Sequence, residues 1–172
     1  MEEKLHFESS MEISTNKLWG NHFRVPNLIA QVFLDEGSRR VVCTLNGQIT
    51  YQCALLSSGD GGFLITVNKK IQTQLGLRDQ SRVQVSLEAD RSAYGLPMPE
   101  EFAELLAQDA EGHRLFHALT SGKQRTLLYI IGQPKNSDAR LSRALTIVEH
   151  LARNGGKIDY KQLNLDMKQA KM

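Results

Sequence analysis

Apolar and polar residues alternate in short bursts as far as Asp90, and beyond it the apolar residues recur at helical spacing. Leu5 and Phe7 fall on one face of an extended segment with His6 and Glu8 on the other, predicting a strand over Leu5–Glu12 that Met11, Ile13 and Thr15 could extend. Trp19-Gly20-Asn21 breaks that pattern, and His22–Val25 predicts a second strand. Pro26-Asn27 opens a helical turn through Ala30 and Phe33 that ends near Gly37, with proline suited to the first helical position because no N–H is needed there.

Val41, Cys43 and Leu45 share one face of the next strand, and Ile49, Tyr51, Cys53 and Leu55 share one face of its return. A two-residue Asn46-Gly47 turn would set these apolar faces against each other. An odd-length loop is therefore expected, with Gly47 left-handed, a bulge, and Cys43 opposite Ile49. Ser57–Gly62 reads as a turn, Phe63–Val67 as a strand, Lys69–Leu75 as a helix stopped by Gly76, and Arg82–Glu88 as a strand with Val83, Val85 and Leu87 inward.

Residues 23–45 and 65–87 follow one pattern at a constant offset: Val25 meets Val67, Ile29 meets Ile71, Arg40 meets Arg82, and Leu45 meets Leu87. A unit of strand, helical turn and strand cannot bury its own apolar face, so two copies are expected to close on each other.

Breakers crowd residues 90–99, which sets a boundary there. Beyond it, Phe102, Leu105 and Leu106 predict a helix from Pro99 to about Gly112, and Leu115, Phe116 and Leu119 a short second one. Ser121 with Gln124 is read as a capping box for a third, ended by Pro134. A fourth from Ser137 to Arg153 is expected to bury Leu141, Ala144, Leu145, Val148, Leu151 and Ala152. The fold class is α+β: a duplicated β-barrel domain over 1–92, a bundle of about four helices over 97–156, and a polar tail over 157–172 whose Ile158, Tyr160 and Leu163 could dock weakly.

With 41% hydrophobic and 23% charged residues, the composition is that of a soluble globular chain. No apolar run reaches the ~18 residues of a membrane span. Met1-Glu2-Glu3-Lys4 leads into no apolar signal core, so the cytoplasm is expected. Cys43 and Cys53 would lie about 10–13 Å apart across that hairpin, too far for a disulfide, and are expected to be reduced. Residues 98–111 carry acidic side chains alone, whereas 112–172 are mildly basic.

Candidate chemistry is sparse. His113 and His117 stand four apart, as metal-binding helices require, but Gly112 is expected to interrupt the helix and no third ligand is near. Gly59-Asp60-Gly61-Gly62 leads into a strand, whereas phosphate-cradling loops lead into a helix, so it reads as a turn. Two basic sets could meet a phosphate backbone, Arg24, Lys69 and Lys70 in the first domain and Lys123, Arg125, Arg140 and Arg143 in the second, against the alternative of ordinary surface charge and salt bridges to Glu100, Glu101 or Glu104. Trp19, Tyr51 and Tyr94 could line a pocket between barrel and helices. No catalytic residue, cofactor or metal is expected.

Leu64-Ile65-Thr66-Val67-Asn68-Lys69-Lys70-Ile71, followed by Leu75-Gly76-Leu77 and the strand at Arg82–Leu87, resembles the swapped-hairpin module of AbrB/MazE-type proteins. Carried twice, over about residues 5–90, it is similar to an uncharacterised bacterial double-split β-barrel domain. Where that pattern has Gly then Asp before the last strand, this chain has Gln80 and Ser81. AbrB relatives bind DNA as dimers, but a duplicated chain supplies both halves, so a monomer is expected.

Leu115-Phe116-His117-Ala118-Leu119, Gly122-Lys123-Gln124-Arg125, Ile130-Ile131 and Ala139-Arg140-Leu141-Ser142-Arg143-Ala144 resemble the bacteriocin-protection, YdeI or OmpD-associated domain over residues 96–153. Tyr129 stands where that family often has an aromatic residue. The resemblance implies a non-catalytic binding or stress-associated protein with an unknown ligand and partner. Nucleic-acid binding, and a small-molecule carrier or enzyme, are the alternatives.

Overall fold

The structure is a computed structural model that describes residues 4–13 and 20–170. Contacts divide the chain into Met1–Arg91 and Ser92–Met172.

In the first unit, β1 (Leu5–Glu12), β2 (His22–Val25), α1 (Asn27–Asp35), β3 (Arg40–Leu45), β4 (Ile49–Ala54), β5 (Leu56–Ser57), β6 (Phe63–Thr66), α2 (Lys69–Leu75) and β7 (Arg82–Ala89) follow in order. The strands form one antiparallel sheet, β4-β3-β7-β1-β2-β6-β5, curled into a half-barrel. β1 joins its two parts, pairing Leu5–Ser10 with β7 and Met11–Glu12 with β2. The outermost strands β4 and β5 are separated in sequence only by Leu55, which is fully buried. Alternation decides what faces inward: Val41, Cys43 and Leu45 of β3 and Val83, Val85 and Leu87 of β7 are buried with Phe23 and Ile65. Each large aliphatic so placed contributes roughly 1.5–3 kcal/mol.

Pro26 precedes the first turn of α1 as its N-cap, one position earlier than expected, and its carbonyl accepts from the Ile29 and Ala30 amides. Asn68 caps α2 by accepting from the Ile71 N–H at 2.9 Å, and Gly76 ends it left-handed at φ 64°. The β3–β4 loop has the expected odd length with Gly47 left-handed, but it spans Asn46–Gln48. Asn46 is left-handed as well, at φ 53°, so the turn closes from Gln48 N–H to Leu45 O and the register moves by two residues. Cys43 therefore opposes Tyr51, not Ile49, and Val41 opposes Cys53. The two thiols become diagonal neighbours at about 7–8 Å between Cα atoms, closer than the sequence suggested. Both are free.

The second unit contains α3 (Glu100–Gln108), α4 (Ala110–His117), α5 (Ser121–Gly132), α6 (Ser137–Arg153) and α7 (Tyr160–Ala170). Much of the polar tail forms a fifth helix, and Leu163, expected to dock, does so. Asp159 starts it by accepting from Gln162 N–H, and Leu163 is buried in the unit's core. Asp166 of α7 also reaches buried His150 of α6: Nδ1 meets its carboxylate at 3.2 Å, while the Asp159 amide donates to Nε2 at 3.1 Å. Packed by α3, α4, α5 and α7, α6 buries Thr146, Ile147 and His150 beside Ala144, Val148 and Leu151. Leu141 and Leu145, expected inside, are 40% and 44% exposed, and Ala152 is exposed as well.

The break between α3 and α4 falls at Asp109, whose carboxylate caps α4 by accepting from Gly112 N–H at 2.9 Å. Gly112 lies inside that helix, where an added Cβ would meet Val148 Cγ1 at 3.0 Å. The third helix is capped one residue earlier than expected, by Thr120 accepting from Lys123 N–H. Gln124 instead donates to the end of α4, at the carbonyls of Phe116 and Leu119.

Candidate ligand pocket in the helical unit

Leu96-Pro97-Met98-Pro99 reads as linker because of its breakers, yet half of it is apolar side chain that must find cover. Its two prolines hold the segment extended, and Pro99 N-caps α3 at φ −59°, ψ 135°, its carbonyl accepting from the Phe102 and Ala103 amides. The segment passes α5 without filling the space against it. A pocket of about 510 Å³ opens between them, walled by Leu96, Met98 and Pro99 on one side and Leu128, Tyr129 and Gly132 on the other. That volume lies within the range of small-molecule sites, roughly 300–1,000 Å³, which are also mainly apolar with a few placed polar groups.

The polar groups come from helix ends. Glu100 and Glu101 open α3, where the helix dipole favours carboxylates. Arg140 of α6 donates from Nε to Glu101 at 2.8 Å and from Nη1 to the carbonyls of Pro134 and Lys135. This pair is the least exposed arginine–carboxylate bridge of the described residues, at 26% and 12%. Its own amide N–H, Arg140 and the Ser137 hydroxyl hold the Glu101 carboxyl below the usual range. Gln133 completes the rim, and Tyr129 presents a ring that is 61% exposed.

The side chains singled out in sequence are dispersed. Arg24 bridges Asp60 at 3.0 Å and Glu12 at 3.5 Å. Asp60 accepts from Ser58, which chiefly lowers its carboxyl, and from Gly62 N–H, so the glycine-rich loop is a closed turn. Lys69 and Lys70 are exposed on the first turn of α2, Lys123 is exposed on α5, and Arg125 is half-buried. Arg143 donates to Ile130 O at 2.7 Å and Gln133 Oε1 at 3.0 Å, satisfying the end of α5. Arg140 and Arg143 thus share a helix face as expected, but both serve helix ends.

His113 and His117 do lie on one helix, with rings stacked at 4.1 Å. His117 Nδ1 meets His113 O at 2.8 Å and Nε2 meets the Tyr94 hydroxyl at 2.8 Å, so both ring nitrogens are engaged. No group of three or more metal-ligating side chains occurs among the described residues. Trp19 lies outside the described residues. Tyr51 donates to Thr66 O at 3.1 Å within the sheet unit, and Tyr94 belongs to the helical unit. Burial, followed by neighbouring Cys43 and Cys53, pushes the Tyr51 phenol up. The Cys43 contact, with burial next, does the same for the Cys53 thiol.

Of the residues lining the pocket, Glu100, Glu101, Tyr129 and Arg140 stand out in the sequence, whereas Leu96–Pro99 does not. The available signal was an apolar residue at Leu96 and again at Met98, inside a stretch dismissed as breakers.

Among the described residues no helix is long and apolar enough to cross a membrane. No curated protein matches the chain. Residues 7–87 match a domain of unknown function, DUF1905, and residues 96–154 match the family described as bacteriocin-protection, YdeI or OmpD-associated. The chain is therefore similar to DUF1905 over its sheet unit and to the YdeI/OmpD-associated family over the segment that holds every wall of the pocket.

Proposed function

We propose that this protein is a non-catalytic binding protein whose ligand occupies the pocket between Leu96–Pro99 and α5. One observation carries the reading: a cavity of about 510 Å³ with apolar walls and a charged rim, built wholly from the segment similar to the YdeI/OmpD-associated family. The basic residues named for nucleic acid are in part committed to helix ends and ion pairs, which ranks that alternative lower.

The sheet unit is read as two AbrB-like halves mated within one polypeptide, forming a double-split barrel. In support, β2 pairs antiparallel with β6 and β3 with β7, as a two-fold axis between residues 23–45 and 65–87 requires. A monomeric, cytoplasmic protein fits that reading, and sedimentation of an obligate dimer would oppose it.

Gly132 provides the test of the pocket. It stands at the end of α5 without a positive φ, and an added Cβ would meet only Pro99 Cγ at 3.9 Å, an ordinary contact. Gly132→Leu should fill the cavity while leaving the helix intact. A metabolite thermal-shift screen of the full chain is expected to find stabilising compounds that lose their effect in this variant, because a bound ligand raises the melting temperature. Hits that stabilise both proteins equally would place the site elsewhere and refute the reading.

A further inference from the structure

Charge at the rim distinguishes between ligand classes. Glu101 and Arg140 neutralise each other at 2.8 Å, and the arginine's Nε and Nη1 are already given to protein oxygens. Glu100 remains. It is exposed, lines the pocket, and makes no ion pair among the described residues. An adjoining groove of about 420 Å³ shares Glu100 and Glu101 and continues past Glu104 to Leu105 and Leu141. The apolar cavity therefore opens toward carboxylates. This is also where the chain places its purely acidic run, residues 98–111, within a unit that is otherwise basic.

We propose that the pocket takes an amphipathic primary amine, with its hydrocarbon body against Leu96, Met98 and Leu128 and its ammonium group at Glu100. The inference rests on the reading of this cavity as the ligand site and adds the chemistry of what enters it. Apolar walls contribute affinity in proportion to the area they remove from water, up to about fourfold for each methylene buried. The carboxylate supplies the selection: an ammonium gains the ion pair, an alcohol does not, and a carboxylate is repelled. Tyr129 adds an exposed aromatic face of the kind that attracts ammonium groups.

The test is titration calorimetry on the full chain at pH 7 with n-octylamine, octan-1-ol and sodium octanoate, below their aggregation limits. Octylamine is protonated there, as a lysine side chain is. It should bind about fivefold tighter than the alcohol, the scale of one exposed ion pair, and octanoate should bind more weakly than either. Raising the salt should erode the amine's advantage. Glu100→Gln should reduce octylamine to the level of octanol and leave octanol unchanged, whereas Gly132→Leu should weaken all three. Equal binding of amine and alcohol, or tightest binding of octanoate, would overturn the amine assignment and leave the pocket standing. No binding by any of the three, together with a screen indifferent to Gly132→Leu, would overturn both.

Discussion

Replacing Gln80 with glycine is expected to stabilise the sheet unit. Gln80 adopts the left-handed conformation, φ 67°, in the tight turn Arg78–Ser81 that feeds β7. Its backbone cannot relax easily: Gln80 N–H donates to Met11 O at 2.8 Å, Ser81 N–H donates to Arg78 O at 3.0 Å, and Met11 N–H donates to Ser81 O at 2.8 Å. These bonds fix the point at which β1 leaves β7, and they hold glutamine in a conformation that costs an L-residue about 1–2 kcal/mol. The side chain is exposed, so removing it sacrifices no packing. Glycine removes the strain but loses more chain entropy on folding, by roughly 0.5–1 kcal/mol. The net gain is about 0.5–1 kcal/mol, or an upward shift of about 2–8 °C for a unit of this size. Scanning calorimetry of wild type, Gln80→Gly and Gln80→Ala provides the assay. Alanine keeps its Cβ in the left-handed region and should melt close to wild type. A glycine variant no more stable than the alanine variant would refute the reasoning.

Leu163→Ala should cost about 2–4 kcal/mol in denaturant unfolding, because this side chain is buried in the helical core; a loss under 0.5 kcal/mol would mean that α7 is an unattached tail. Gln162, then His150, hold the Asp166 carboxyl below its usual range, and its folded pKa therefore lies below the unfolded one. Its stabilisation is present above about pH 4, the ordinary aspartate value, and is lost as pH falls through the lowered pKa. Asp166→Asn should accordingly lose stability at neutral pH and flatten the acid limb of a melting-temperature profile. Cys43 is buried and the Cys53 thiol is pushed up, so native protein at pH 8 should react with a disulfide reagent far more slowly than unfolded protein.

Local pattern was sufficient where an element owes its form to its own residues. Alternation at Val83, Val85 and Leu87 defines β7, and the apolar spacing between Asn136 and Asn154 sets the bounds of α6. Failures arose where a neighbour decides. The buried face of α6 is shaped in part by α7, whose Leu163 joins the core and whose Asp166 sets a buried carboxylate against His150. The two-residue slip in the β3–β4 register traces to Asn46, a non-glycine residue in the left-handed region. His150 belongs to no motif, since its partners Asp159 and Asp166 lie in the segment that reads as a polar tail. The pocket was hidden for a related reason: it is a gap between α5 and a proline-rich approach, and no single stretch of sequence encodes a gap.

Intermolecular NOEs between a bound alkylamine and the protein's methyl groups test the central claim most directly. With methyl-labelled full-length protein, the ligand chain is expected to show contacts to Met98, Leu96 and Leu128 that vanish in Gly132→Leu. Contacts confined to methyls of the sheet unit, or contacts at the pocket that persist unchanged in that variant, would contradict the account.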